Sequence, residues 1–315
     1  MLRLKKIIGL ALVTTLMGAT LISCNKKEKE EDKTTLTIGV MSSIDAVPMF
    51  ISKEKEYYKK EGVNVDIQVF KNSKDRDAAL QAGTLDGVIC DEVAVNLYQN
   101  ANFDVKITGV TDGNFVLIAG AKSNIKSYVD LKGKSVAISE KTCMEYTLDK
   151  LLEKNSIDIS SVNKTAVPAI PTRYEMLKEG KIDAALLPEP FSSLALNDGG
   201  VKLGSAVDAN IFSSVSAFTQ KAIDSKSKEI KNFYKAYNDA VKYINSTPIS
   251  EYEKTVIDTV GYPKEMAGKI VLPKYRENVL PDNKDLETVI KWVEDKGLSK
   301  KSLKPSDLVS DVGIK

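Results

Sequence analysis

Histidine is absent from all 315 residues. That removes the Ser-His-Asp and Cys-His nucleophile systems, the paired-histidine zinc peptidases and the imidazole metal sites. Cysteine is scarce, with three residues, and tryptophan occurs once. The long apolar run from Ile7 to Ile22, broken only by small residues and Thr14 and Thr15, falls short of a membrane span. Neither sign of charge dominates. The formal net charge is +2, and losing the three cations Arg3, Lys5 and Lys6, in a segment argued below to be cleaved, leaves −1. Nothing in that balance points to nucleic acid. What the chain does have is a globular composition, 43% hydrophobic and 28% charged, and length for two lobes of about 100 to 150 residues each.

The N-terminus reads as an address. Met1 to Lys6 is basic, the apolar run follows, and Leu21-Ile22-Ser23-Cys24 closes it. This resembles the lipobox of bacterial lipoproteins. The resemblance implies a signal peptide over residues 1–23 and a lipidated Cys24, held at the membrane by acyl chains worth about 0.8 kcal/mol per buried methylene. An uncleaved anchor helix is the duller account, and Lys26 and Lys27 argue against it. Residues 24–35, with the polar run Asn25 to Lys33, read as a solvated tether. Two cysteines are left, Cys90 and Cys143. An exported chain can bridge such a pair, but both follow apolar, strand-like runs in separate repeats, so packed free thiols are expected.

From Leu36 the apolar periodicity alternates strand and helix: Leu36 to Val40, a helix over Pro48 to Lys60, Val63 to Val69, a helix over Asp75 to Ala82, then Leu85 to Cys90. The order returns with Ser135 to Ser139, Thr142 to Asn155, Lys164 to Val167, Thr172 to Glu179 and Ile182 to Leu187. The segments Gly83-Thr84-Leu85-Asp86-Gly87 and Gly180-Lys181-Ile182-Asp183-Ala184 align, each a helix-ending glycine followed by an aliphatic-Asp-small strand entry. This predicts two similar α/β lobes with parallel strands. Phe115 to Gly120 and Ile211 to Phe218 read as further strands. Ile230 to Ile244 and Glu287 to Asp295 read as amphipathic helices whose apolar stripes are core.

These stretches resemble a known family, the substrate-binding proteins of ABC importers for nitrate, sulfonates, taurine and thiamine precursors. The likeness is carried by Ile38 to Phe50, Tyr57 to Val65, Ala78 to Glu92, Leu131 to Ser139 and Arg173 to Phe191. It implies the type 2 periplasmic-binding-protein fold: two lobes around a central ligand cleft, with two hinge crossings at Phe115 to Gly120 and Ile211 to Phe218. Lobe I is then residues 36–116 and 214–315, and lobe II residues 117–213. The implied partners are a small-molecule ligand and an ABC permease with its ATPase. No cofactor and no catalysis are expected, and a monomer is.

Ligands of open α/β sheets bind beyond the carboxyl ends of the strands. That places candidate contacts at Ser42, Ser43, Asp45, Asp91, Glu92 and Asn114 in the first lobe. Ser139, Thr142, Tyr146, Glu189 and Phe191 follow in the second, with Ser214 on the return strand. Each has a structural alternative. Ser42 and Ser43 can cap a helix, Asp91 and Glu92 can sit on a helix dipole, and Thr142 with Glu145 can form a capping box. The many carboxylates of this set, beside Arg173 as the sole nearby arginine, point to a neutral or cationic heterocycle such as a thiamine-type pyrimidine precursor, stacked on Phe50, Tyr146 or Phe191. A sulfonate, taurine or nitrate anion is the alternative. A fold-related biosynthetic enzyme is a second, weakened by the missing histidine.

Overall fold

The computed structural model describes residues 34–314. The expected signal segment, Cys24 and all but the last two residues of the expected tether lie outside them.

Along the chain run β1 (Thr35–Met41), α1 (Val47–Glu54), α2 (Tyr57–Lys60), β2 (Asn64–Phe70), α3 (Ser73–Gln81), β3 (Gly87–Asp91), α4 (Glu92–Asn100) and β4 (Val105–Val110). Then come β5 (Phe115–Ala119), β6 (Ser135–Ile138), α5 (Cys143–Lys154), β7 (Asn163–Ala166), α6 (Ile170–Glu179), β8 (Ala184–Pro188), α7 (Phe191–Asn197) and β9 (Val201–Ser205). The chain returns through β10 (Ser214–Thr219) and ends with α8 (Gln220–Ser225), α9 (Ser227–Ser246), α10 (Glu253–Val260), α11 (Asn283–Asp295) and α12 (Pro305–Leu308).

Two five-stranded sheets result, ordered β2-β1-β3-β10-β4 and β7-β6-β8-β5-β9. Each has three parallel strands and then an antiparallel one, β10 or β5, that has just arrived from the other lobe. The repeated aspartates explain part of this likeness. Asp86 accepts the Thr37 N–H at 2.8 Å, and Asp183 accepts the Ser135 N–H at 2.8 Å, so each carboxylate pins the start of its lobe's first strand. Gly83 and Gly180 both take positive φ where a helix, α3 or α6, turns toward the next strand, β3 or β8.

The first sheet is covered on one face by α1, α9 and α10. The stripe Ile230, Phe233, Tyr234, Tyr237, Val241 and Ile244 of α9 is buried there against Leu36, Ile38 and Val40. On the other face, Leu286 and Ile290 of α11 join Val88, Val95 and Ile107. The second sheet buries Leu148, Leu151 and Leu152 of α5 against Ile118 and Val136.

Three expectations change. The helix expected over Pro48 to Lys60 breaks in two, because Glu56 sits at φ 56°. The crossings are the links before the expected strands, residues 111–114 and 206–213, so Phe115 and Val116 pair with Pro188 and Leu187 in the second sheet. Strands β4 and β9 went unread, since each carries a glycine that punctuates its apolar run. In β4 that glycine is required: a Cβ on Gly109 would lie 1.8 Å from the Asn278 Oδ1.

Candidate functional site between the lobes

The carboxyl ends of β1 and β3 meet those of β6 and β8 around a cavity of about 70 Å³. Lobe I lines it with Met41, Ser43, Asp45, Arg76, Cys90, Asp91 and Ser214; lobe II adds Phe115, Ser139, Thr142, Cys143 and Met144.

Asp45 follows β1 in a single 3-10 turn and is 6% exposed. Its Oδ2 accepts long hydrogen bonds from Thr111 Oγ1 at 3.4 Å and Ser214 Oγ at 3.3 Å. Burial pushes its carboxyl above the ordinary value, against the smaller pull of Ser43, Ser214 and Thr111. A glycine permits this crowding: a Cβ on Gly113 would lie 2.4 Å from Ser214 Oγ and 3.1 Å from Asp45 Oδ2. Asp91 caps α4 by accepting the Ala94 N–H at 2.9 Å, and it lines the cavity together with Cys143 of the other lobe. Burial raises its carboxyl too. Arg76 is buried beside these acids but spends its guanidinium on Asp77 at 2.7 Å and on the Ile89 carbonyl at 2.7 Å. Cys90 and Cys143 are free and buried. Burial drives both thiols up, keeping them protonated.

The opposite wall is built on α5. Thr142 caps it, accepting the Met144 N–H at 3.2 Å and donating to the Ser139 carbonyl at 2.8 Å. Behind Ser139 stands Arg173, fully buried, whose Nη2 donates to Ser139 Oγ at 2.6 Å. Its other acceptors are the Val167 and Leu186 carbonyls and the Met144 sulfur. No carboxylate among the described residues bonds it, and burial pulls its pKa down to about 10. Among the described residues, no three His, Cys, Asp or Glu side chains gather as a metal site needs.

The family model for NMT1/THI5-like proteins matches residues 43–250, which include both walls of this cavity. The chain belongs to that family. This NMT1/THI5-like protein is 27% identical over 266 residues to a Brachyspira hyodysenteriae protein named an ABC transporter periplasmic binding protein, covering 78% of this chain and 75% of that one. Two solved structures share the fold. One is a Staphylococcus aureus ligand-binding component of an ABC-type import system with zinc bound, at TM-score 0.75 and 13% identity over 90% of this chain and 99% of that chain. The other is the Escherichia coli aliphatic sulphonate binding protein, at TM-score 0.73 and 17% identity over 89% of this chain and 99% of that chain.

In this NMT1/THI5-like chain the other expected contacts stand away from the cavity. Ser42 is exposed. Glu92 is 1% exposed at the start of α4, and Asn114 accepts the Val207 N–H at 3.3 Å, tying one crossing to the other. Tyr146 packs edge-on against Trp292, centroids 5.6 Å apart. Glu189 accepts from Ser193 Oγ at 3.0 Å and from the Tyr262 hydroxyl at 3.2 Å, a bond between the lobes. Phe191 leans on Tyr174, and Phe50 packs into the lobe I core. Two acids counted toward the cleft have partners elsewhere. Asp112 is held by Arg276 at 2.7 Å, and Glu145 pairs with Lys164 and Lys296, each at 3.0 Å. The box expected at Thr142 forms in part, since Glu145 bonds the Lys141 N–H rather than that of Thr142.

The arginine that does line the cavity, Arg76, is not legible in the sequence. Its only signal was a cation in the helix after β2, and Phe115 offers the aromatic face that Tyr146 and Phe191 do not.

Proposed function

We propose that this protein is the solute-binding component of an ABC importer, anchored outside the membrane through Cys24. In this reading it captures, as a monomer, a neutral or cationic nitrogen-bearing heterocycle such as a thiamine-type pyrimidine precursor. The lobes close on the ligand, and the closed form is delivered to a permease and its ATPase. No bond is made or broken in this cycle.

The observation that carries the ligand class is the pair Asp45 and Asp91. Both are buried at the cavity and neither is ion-paired among the described residues; Arg76 pairs with Asp77 instead. A buried carboxylate without a counter-ion is costly, so a ligand donating N–H groups gains where an added anion loses. Ser43, Ser214 and Thr142 supply hydroxyls, and Phe115 and Met144 supply apolar faces.

One observation favours the anionic alternative, a sulfonate, taurine or nitrate. Arg173 is a buried cation without a carboxylate, and its charge reaches the cavity through Ser139 at the N-terminal end of α5. Thermal shift of the full chain against aminopyrimidines, thiamine, sulfonates and nitrate separates the two, because a ligand binding only the folded state raises stability by RT ln(1 + [L]/Kd). Stabilisation by an aminopyrimidine that is lost in Asp45→Asn supports the cationic reading. Stabilisation by a sulfonate, retained in Asp45→Asn, overturns it.

A further inference from the structure

Helix α5 does two jobs. Its first turn gives Cys143 and Met144 to the cavity, while Glu145, Tyr146 and Asp149 face helix α11 of the other lobe. The two helices have separate anchors. Leu148, Leu151 and Leu152 fix α5 to the second sheet, and Leu286 and Ile290 fix α11 to the first. Every contact between them is therefore a contact between lobes.

These contacts form one cluster. Lys296, just past α11, places its Nζ 3.0 Å from Glu145 Oε1 and 2.8 Å from Asp149 Oδ2. The Trp292 indole N–H donates to Asp149 Oδ2 at 3.0 Å, and the same ring meets Tyr146 edge-on. Val93 and Val289 complete an apolar patch around them. Asp149 is fully buried, and its own lobe supplies a single cation to the pair of acids, Lys164. Lobe II alone thus leaves two carboxylates with one lysine, and the second positive charge arrives only from lobe I. Lysine at this edge differs from the surface pairs of the chain because the acids it meets are 11% and 0% exposed.

We propose that Lys296 and Trp292 are positioning residues that latch the lobes shut, so that the closed state is built into the protein and the ligand completes it through the first turn of the same helix. An excess anionic charge on the α5 face favours return of α11, and closure brings Cys143 of lobe II to the cavity beside Asp91 of lobe I. Binding of any ligand at the first turn of α5 then draws on a closing energy that it need not supply by itself.

The test needs no ligand, so its failure is distinct from failure of the ligand class proposed above. Cys143 is 5% exposed in the closed arrangement, and Trp292 is the chain's single tryptophan, so both report opening. In the full chain, N-ethylmaleimide labelling of Cys143 followed by peptide mass spectrometry is compared with acrylamide quenching of the tryptophan. Lys296→Met should speed labelling by about tenfold, the effect of roughly 1.4 kcal/mol on an opening equilibrium, and should raise quenching. Lys296→Arg should restore both, and Trp292→Phe should raise labelling less. Hydrogen exchange in β3 and β6 separates opening from unfolding: those amides stay protected if only the latch is released. If Lys296→Met does not fold, Trp292→Phe decides. Native labelling rates in a folded Lys296→Met or Trp292→Phe chain overturn the latch.

Discussion

Two pairs of acids sit at the seam between the lobes, at similar depth and with opposite fates. Asp45 and Asp91 face the cavity without an ion pair, and burial raises both. Glu145 and Asp149 face α11 with two lysines. Burial works on Glu145 as well, but the Lys141 N–H and the Lys164 and Lys296 ammoniums outweigh it and hold its carboxyl at about 2. The comparison teaches that burial alone does not set the state of a carboxylate; a fixed cation does. At the latch the protein supplies that cation from both lobes, whereas at the cavity the place is left to whatever enters.

The largest expected effect comes from breaking the matched pair. Lys164→Met leaves Glu145 and Asp149 with Lys296 alone, and removing one partner of a buried ion pair costs about 3 kcal/mol. Urea unfolding at neutral pH measures it. A loss no greater than that of a surface substitution would erase the contrast between the two pairs. The pH profile adds the sign. With an ordinary value of 4.5 and a folded value of about 2, Glu145 contributes stability that is complete above pH 4.5 and lost as the pH falls toward 2. Wild type should therefore lose stability across that window more steeply than Glu145→Gln.

Glu92 lies beside both pairs and belongs to neither. It is 1% exposed, its Oε1 is unpartnered, and burial, with Asp285 and Asp91 nearby, pushes it up to about 8. The sign is reversed here. The penalty is absent below pH 4.5, grows as the pH rises toward 8, and then levels off. Glu92→Gln should gain about 2 kcal/mol over wild type above that plateau and nothing at low pH. Chemical denaturation at both ends of the window checks it. Asp45→Asn should act in the same direction but less, gaining about 1 kcal/mol at neutral pH because long hydroxyl contacts already offset part of its burial. A destabilised Asp45→Asn chain would mean that Asp45 is paid for inside the protein, and the ligand argument would lose its footing.

How far the sequence carried this contrast depended on which interactions were local. The apolar stripe of α9 and the paired Gly-to-Asp joints are local patterns, so the repeat of the lobes was legible. Asp45, Asp91, Ser139, Thr142 and Ser214 lie around the cavity because strand ends face it, a rule that needs only strand boundaries. Glu145 and Tyr146 are their near neighbours in sequence and were read the same way. A helix turns successive residues by about 100°, however, so within the first turn of α5 Cys143 and Met144 line the cavity while Glu145 and Tyr146 face α11. Nothing near Tyr146 in sequence announces Trp292, and nothing near Asp112 announces Arg276. Arg76 escapes the sequence for the same reason, since its reach from α3 to the Ile89 carbonyl in the middle of β3 is a tertiary fact.

The smallest effect sharpens the comparison most. Lys291 stands on α11 directly before Trp292 and five residues before Lys296, and it pairs with Asp295 at 3.0 Å. Both partners are exposed, at 74% and 62% of their side chains, and a pair of this kind contributes about 0.3 to 0.5 kcal/mol in an exposed helix. Lys291→Ala should change stability by no more than that and leave Cys143 labelling at the native rate. Lysine lost from the same helix then has two outcomes, set by what it faces: water and a neighbouring aspartate at position 291, or the buried acids of the other lobe at position 296. If the two alanine or methionine variants opened the cleft equally, the effect would come from the net charge of α11, and the specific geometry of Lys296 with Glu145 and Asp149 would carry no weight.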